Sequence, residues 1–162
     1  MPLLTVGQTA YGFSLRGIDE KTYQLENNSA RLTLVVFFKT TCPTCMLTWP
    51  YVEKLHQAFR GAGLAVWGIS QDVRDASAQF ASKHGSSFPI LIDADWRVSR
   101  DYDPAVVPTL LLIDGAGKLC DTLVAFDKAG LNRLSQTIAA QLNVPAAVIA
   151  PSDDGSPAFK PG

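Results

Sequence analysis

The stretch Leu32-Thr33-Leu34-Val35-Val36-Phe37-Phe38-Lys39-Thr40-Thr41-Cys42-Pro43-Thr44-Cys45 decides the fold of this chain. Leu32 to Phe38 is a continuous β-prone apolar run, the pattern of a strand buried on both faces of a sheet. Two cysteines follow it with two residues between them, where a helix should start. Thiols at that spacing can close a small disulfide and reopen it. A helix N-terminus also favours a thiolate on the first of them, because unpaired backbone N–H groups and the helix dipole face it.

Downstream, Cys45, Trp49, Val52, Leu55 and Phe59 recur at steps of three and four. They form one apolar stripe of a helix that Gly61 and Gly63 should end. Pro50 lies inside that stripe and is expected to kink the helix, since it removes a backbone donor. Trp49 is either a core aromatic of this stripe or a wall of a substrate groove.

Around this centre, Ser14-Leu15-Arg16 and Thr22-Tyr23-Gln24-Leu25 read as a small hairpin. Leu64 to Ile69 reads as a second buried strand and Phe88 to Ile92 as a short one. Ala76, Phe80 and Ala81 suggest a helix, and Trp96 to Tyr102 a helical turn or two. Thr109 to Ile113 and Leu119 to Phe126 pair around the turn signal Asp114-Gly115-Ala116-Gly117. Leu131, Leu134, Ile138 and Leu142 mark a last amphipathic helix. Strands alternating with helices, then a hairpin, predict an α/β sandwich with a mixed central sheet. From Pro145 onward Pro, Ser, Asp and Gly dominate, which predicts an extended or disordered tail over 145–162.

The bulk properties narrow the function classes. With 162 residues the chain is one domain of ordinary size, and 47% hydrophobic content argues against disorder over most of its length. A formal net charge of −1 with no basic patch excludes a nucleic-acid or anionic-membrane surface. Three cysteines are too few for a disulfide-scaffolded module. No run reaches the ~18 apolar residues of a membrane span. Met1 to Thr9 shows no signal-peptide pattern, so a cytoplasmic location is expected, and an extracytoplasmic one if a leader precedes the sequence as given. His56 and His84 lack the spacing of paired ligands, so no metal and no cofactor is expected.

Taken together, a strand, Cys42-X-X-Cys45, a helix with Pro50 five residues beyond the second cysteine, and Val107-Pro108-Thr109 before a later strand resemble the thioredoxin-fold active site. The hairpin, the Phe88-Pro89 strand and the Asp93-to-Tyr102 segment extend the likeness over roughly residues 5 to 142. They make the chain similar to the TlpA-like thiol-disulfide oxidoreductases of the redoxin superfamily, which also contains the peroxiredoxins. The resemblance implies a three-layer α/β/α thioredoxin-like domain over 1–144 with an N-terminal β-hairpin extension.

It also implies a cis Pro108, with Val107 aligning an extended peptide and Thr41, Pro43 and Thr44 lining the substrate site. Cys42 would be the nucleophile and Cys45 the resolving thiol. Partners would be a disulfide-containing protein substrate and an upstream thiol reductant, with the chain acting as a monomer. Two positions depart from thioredoxins: Thr41 stands where Trp is usual, and Val36 where a buried Asp is usual. Asp72, at the end of the Gly68-Ile69-Ser70 strand, is the candidate proton acceptor, or else a helix N-cap.

Two other functions compete. A peroxiredoxin-type peroxidase needs a Pro-X-X-X-Thr-X-X-Cys loop, and Val35 and Lys39 stand at its proline and threonine positions. A non-catalytic binding domain would normally have lost a cysteine of the pair. Cys120, in the predicted hairpin, reads as a small apolar strand residue rather than a third redox thiol.

Overall fold

The computed structural model describes residues 4–162. The first three residues, which belong to the expected 1–144 domain and to the Met1–Thr9 reading, lie outside the described residues. Chain order is β1 (Ser14–Arg16), β2 (Thr22–Gln24), β3 (Leu32–Phe38), α1 (Pro43–Phe59), β4 (Leu64–Ser70), α2 (Arg74–Lys83), β5 (Ile90–Ile92), α3 (Arg97–Tyr102), β6 (Thr109–Asp114), β7 (Leu119–Val124), β8 (Phe126–Asp127), α4 (Lys128–Leu142) and β9 (Phe159–Lys160). Three of these strands, β3, β4 and β5, run parallel, while β6 and β7 are antiparallel, in the order β5-β4-β3-β6-β7.

The apolar run that opens the sequence is the central strand, and every residue of it is buried. Its side chains alternate between two cores, as the two-residue period of a strand requires. Leu32, Leu34, Val36 and Phe38 face the larger core with α1, α4 and Phe80 of α2. Val35 and Phe37 face a second core with Phe13 and Leu15 of the N-terminal region and Val98 and Tyr102 of α3. Helices thus cover one face of the mixed sheet, while α3 and the β1–β2 hairpin cover the other. Both cores end in the same strand, so the strand's C-terminal loop, Lys39–Cys42, emerges from a rigid base.

Helix α1 runs from Pro43 through Pro50 to Phe59. A short 3-10 turn at 60–62 then leads to Gly63, whose φ of +117° suits a residue without a Cβ. Trp49 is a core residue, fully buried against Phe38, Phe80 and Phe88. Cys120 is the extra residue of a β-bulge, since Ile113 pairs with Leu119 and Leu112 with Asp121. It sits at the end of β6 away from Thr109.

Residues 145–162, for which composition suggests an extended or disordered tail, contain no helix and fold back over α4 and α1. Ile149 and Ala150 are each 2% exposed. The Asn132 side chain accepts from the backbone N–H groups of Ile149 and Ala150 and donates to the Ala150 carbonyl. Lys128 is buried and pairs with Asp154, which also accepts a short hydrogen bond from Tyr51. The hydrogen bond from Lys128, then that from Tyr51, holds the Asp154 carboxyl well below the usual range. Finally β9 pairs antiparallel with β8.

Candidate active site

Cys42 is the N-cap of α1, with extended backbone at φ −88° and ψ 112°. Its sulfur accepts the backbone N–H of Cys45 at 3.0 Å, one of the donors that a helix start leaves unpaired. It is half-buried, whereas Cys45, one turn along, is fully buried. Burial pushes the Cys45 thiol up strongly, and its hydrogen bond with Cys42 adds to this. One thiol is therefore reachable and the other is kept protonated and sheltered. That is the asymmetry expected of an attacking and a resolving cysteine.

Across from the pair lies the loop before β6. The Val107–Pro108 peptide bond is cis, Pro108 is buried and Val107 is half-buried. The Cys42 thiol donates to the Val107 carbonyl oxygen at 3.6 Å, so this loop touches the reactive sulfur directly. Thr41 and Pro43 are exposed on either side of Cys42, and Thr44 is only 4% exposed. Of the residues singled out in sequence, the structure gathers Cys42, Cys45, Thr41, Pro43, Thr44, Val107 and Pro108 at one corner.

Asp72 joins this corner from the end of β4, bonded to the loop before the cysteines. One carboxylate oxygen accepts both the backbone N–H of Thr40 at 2.7 Å and its hydroxyl at 2.8 Å. Asp72 is not the N-cap of α2, a place taken by Val73. Val36 is fully buried, which gives the site an apolar floor at the position where thioredoxins carry an acid.

Two contacts here escaped the sequence reading. Lys39 lies 4.6 Å above the Trp96 ring, whose N–H bonds the Gln71 carbonyl at 2.9 Å. The Thr44 hydroxyl donates to the carbonyl of Pro161 at 2.6 Å, 117 residues away. No local pattern signals either of them.

A mixed five-stranded sheet, a Cys-X-X-Cys at a helix start and a cis-proline loop against the first sulfur define a thioredoxin-like thiol-disulfide oxidoreductase. Within that class the chain belongs to the AhpC/TSA family, whose sequence model matches residues 6–122. It is 27% identical over 118 residues to the thiol-disulfide oxidoreductase ResA of Halalkalibacterium halodurans, a match covering 72% of this chain and 67% of that protein. The structure of a proposed thiol:disulfide interchange protein DsbE from Chlorobium tepidum shares the fold at a TM-score of 0.80 and 24% identity, covering 86% of this chain and 99% of that one. Peroxidoxin BcpB from Mycobacterium tuberculosis shares it at a TM-score of 0.70 and 21% identity, over 85% of this chain and 96% of that one. Among the described residues, no helix is long and apolar enough to cross a membrane.

Proposed function

We propose that this chain reduces disulfides in protein substrates, with Cys42 as nucleophile and Cys45 as resolving thiol. The Cys42 sulfur attacks one substrate sulfur, the substrate S–S bond breaks, and the departing thiolate takes up a proton. Cys45 then forms a bond to Cys42, which breaks the mixed disulfide and releases the second substrate thiol. The substrate gains two electrons and two protons, and the Cys42–Cys45 dithiol becomes a disulfide. A separate thiol reductant restores it. The chain acts as a monomer in this scheme.

The observation that supports this best is the contrast between a half-exposed helix-cap thiol and a buried, protonated one beside it. The sheltered proton must leave Cys45 in the second step. The departing thiolate of the substrate is within the reaction and takes it directly. Asp72 is the competing acceptor, and a pH profile of the Asp72→Asn variant separates the two. A profile that moves by more than about one unit assigns the proton to Asp72.

Val107 and Pro108 face the sulfur where an extended substrate segment would lie, with Thr41, Pro43 and Thr44 around it. The direction of the reaction follows the compartment. In a thiol-rich cytoplasm the pair rests as the dithiol and acts as a reductant. A reduction potential between roughly −230 and −270 mV fits that role, and about −120 mV overturns it.

Insulin reduction by dithiothreitol, with Cys42→Ser as control, is the direct test. Equal rates for wild type and Cys42→Ser refute the proposal. Peroxide consumption as fast as insulin reduction would instead favour a peroxidase, for which the loop lacks the threonine that orients a peroxide.

A further inference from the structure

We infer that the segment Phe159–Gly162 is a built-in occupant of the groove through which a protein substrate reaches Cys42, so that the chain restricts its own access to large disulfides. The inference rests on the oxidoreductase reading above and adds a control on that same site. It stands on one juxtaposition. The Val107 carbonyl oxygen that accepts from the Cys42 sulfur at 3.6 Å also faces Gly162, where an added Cβ would lie 2.5 Å from it. On the opposite wall, the Thr44 hydroxyl of the Cys-Pro-Thr-Cys turn donates to Pro161 at 2.6 Å. The segment therefore bridges the first turn of α1 and the loop before β6, the two walls that flank the reactive sulfur.

Its anchoring is graded. Residues 149–160 are held by two buried apolar side chains, the Asn132 bonds, the Lys128–Asp154–Tyr51 cluster and pairing with β8. The Lys128 backbone N–H adds a bond to Ala158 at 3.0 Å. Beyond Lys160, Pro161 and Gly162 are exposed and lie on the surface, with the Thr44 bond joining them to the site. One neutral hydrogen bond contributes little by itself. The tether supplies the rest, because it holds the segment at a high effective concentration over the groove. A strap firmly rooted up to Lys160 and lightly seated at Pro161 and Gly162 is displaceable there by a competing peptide.

A small disulfide and a protein disulfide then meet different sites. Cys42 stays half-exposed with the strap in place, which leaves a small disulfide a shorter path to it than an extended peptide has. An extended peptide needs the space that Pro161 and Gly162 occupy. It binds only in the fraction of molecules whose groove is open, and its apparent affinity falls by that fraction.

The test compares two substrates on the chain carrying residues 1–162, a variant without residues 159–162, and Gly162→Val, which forces residue 162 off Val107. One substrate is bis(2-hydroxyethyl) disulfide. The other is a cysteine-containing extended peptide carried as a mixed disulfide with thionitrobenzoate, whose release is read by colour. Loss of the strap should raise the peptide rate by about tenfold, as for a groove open in one molecule in ten, and leave the small-disulfide rate within twofold.

A peptide-to-small ratio unchanged within twofold in both variants, or a fall in the peptide rate, overturns the inference. Far-UV circular dichroism confirms that the variants fold, and Gly162→Val decides if the deletion does not. If no form reacts with either disulfide, the oxidoreductase reading fails separately. Occupancy of the groove is then read in a Cys120→Ser background, from labelling of Cys42 by a bulky maleimide relative to N-ethylmaleimide. That ratio should rise severalfold on strap loss, and a constant ratio overturns the inference.

Discussion

Thr40 and Thr44 stand two residues to either side of Cys42, and each commits its hydroxyl to a residue far away in sequence. Thr40 gives both hydroxyl and backbone N–H to the Asp72 carboxylate, and Thr44 gives its hydroxyl to the Pro161 carbonyl. The first is a charge-assisted pair of bonds between neighbouring strand ends of one rigid sheet. The second is a single neutral bond to a strap that crosses the surface. One side of the reactive sulfur is thus fixed and the other is removable. A redox thiol needs both, since a fixed loop keeps the sulfur at the helix cap while an openable wall admits a substrate.

Removing Cys42 tests the comparison at its centre and carries the largest expected effect. Cys42→Ser should bring insulin reduction to the uncatalysed baseline, whatever happens on either side. Cys45→Ser should instead accumulate the mixed disulfide, visible as a mass increment on Cys42.

Loss of the fixed side comes next. Asp72→Ala leaves two donors of Thr40 without their charged acceptor, which costs about 1.5–3 kcal/mol, and the melting temperature should fall by about 4–10 °C. A melting temperature unchanged within a degree would show that this side is no more fixed than the other.

The removable side should respond more weakly, and in rate rather than in stability. Thr44→Val deletes one neutral bond worth about 1 kcal/mol, so for a groove open in one molecule in ten the peptide-to-small-disulfide ratio should rise about fourfold. Melting of the core should move by less than about 2 °C, because the strap remains rooted upstream. A larger drop in stability than for Asp72→Ala would invert the comparison.

The smallest effect is a pH dependence of the reduced protein. Burial, with the Cys42 hydrogen bond, raises the Cys45 thiol above its ordinary value, so the folded chain keeps a proton that the unfolded chain releases near pH 8.5. The stability from this group is complete below that pH. It declines as pH rises further, by at most about 1.4 kcal/mol per unit. Denaturant unfolding of the dithiol form between pH 7 and 9 should show the decline, of under about 1 kcal/mol over that range, and Cys45→Ser should flatten it.

Much of the reactive corner was legible because its signals are local. The apolar run from Leu32 to Phe38 can only be a strand covered on both faces, and it is the central one. Cys42-Pro43-Thr44-Cys45 carries its helix cap, its first-turn proline and its thiol spacing within four residues. Asp72 was legible as a carboxylate near the site, but its partner was not. Nothing in Thr40 or Asp72 says that parallel pairing of β3 with β4 will bring their strand ends together.

The strap was the least legible part. Pro145 to Gly162 has the composition of a solvated segment, and composition does not report that Asn132 and Lys128 on α4 present the groups that bind it. Those anchors are spread over α4, α1 and β8, and their spacing exists only after α4 has packed on the sheet.

By itself, then, the sequence determined the chemistry of this protein, because a dithiol at a helix start needs only a strand, a turn and a helix that neighbouring residues encode. Only the tertiary structure decided who meets that dithiol, because the Asp72 clamp and the Phe159–Gly162 strap join segments 32 and 117 residues apart. Contacts of that range depend on strand register and helix docking, which no local pattern carries.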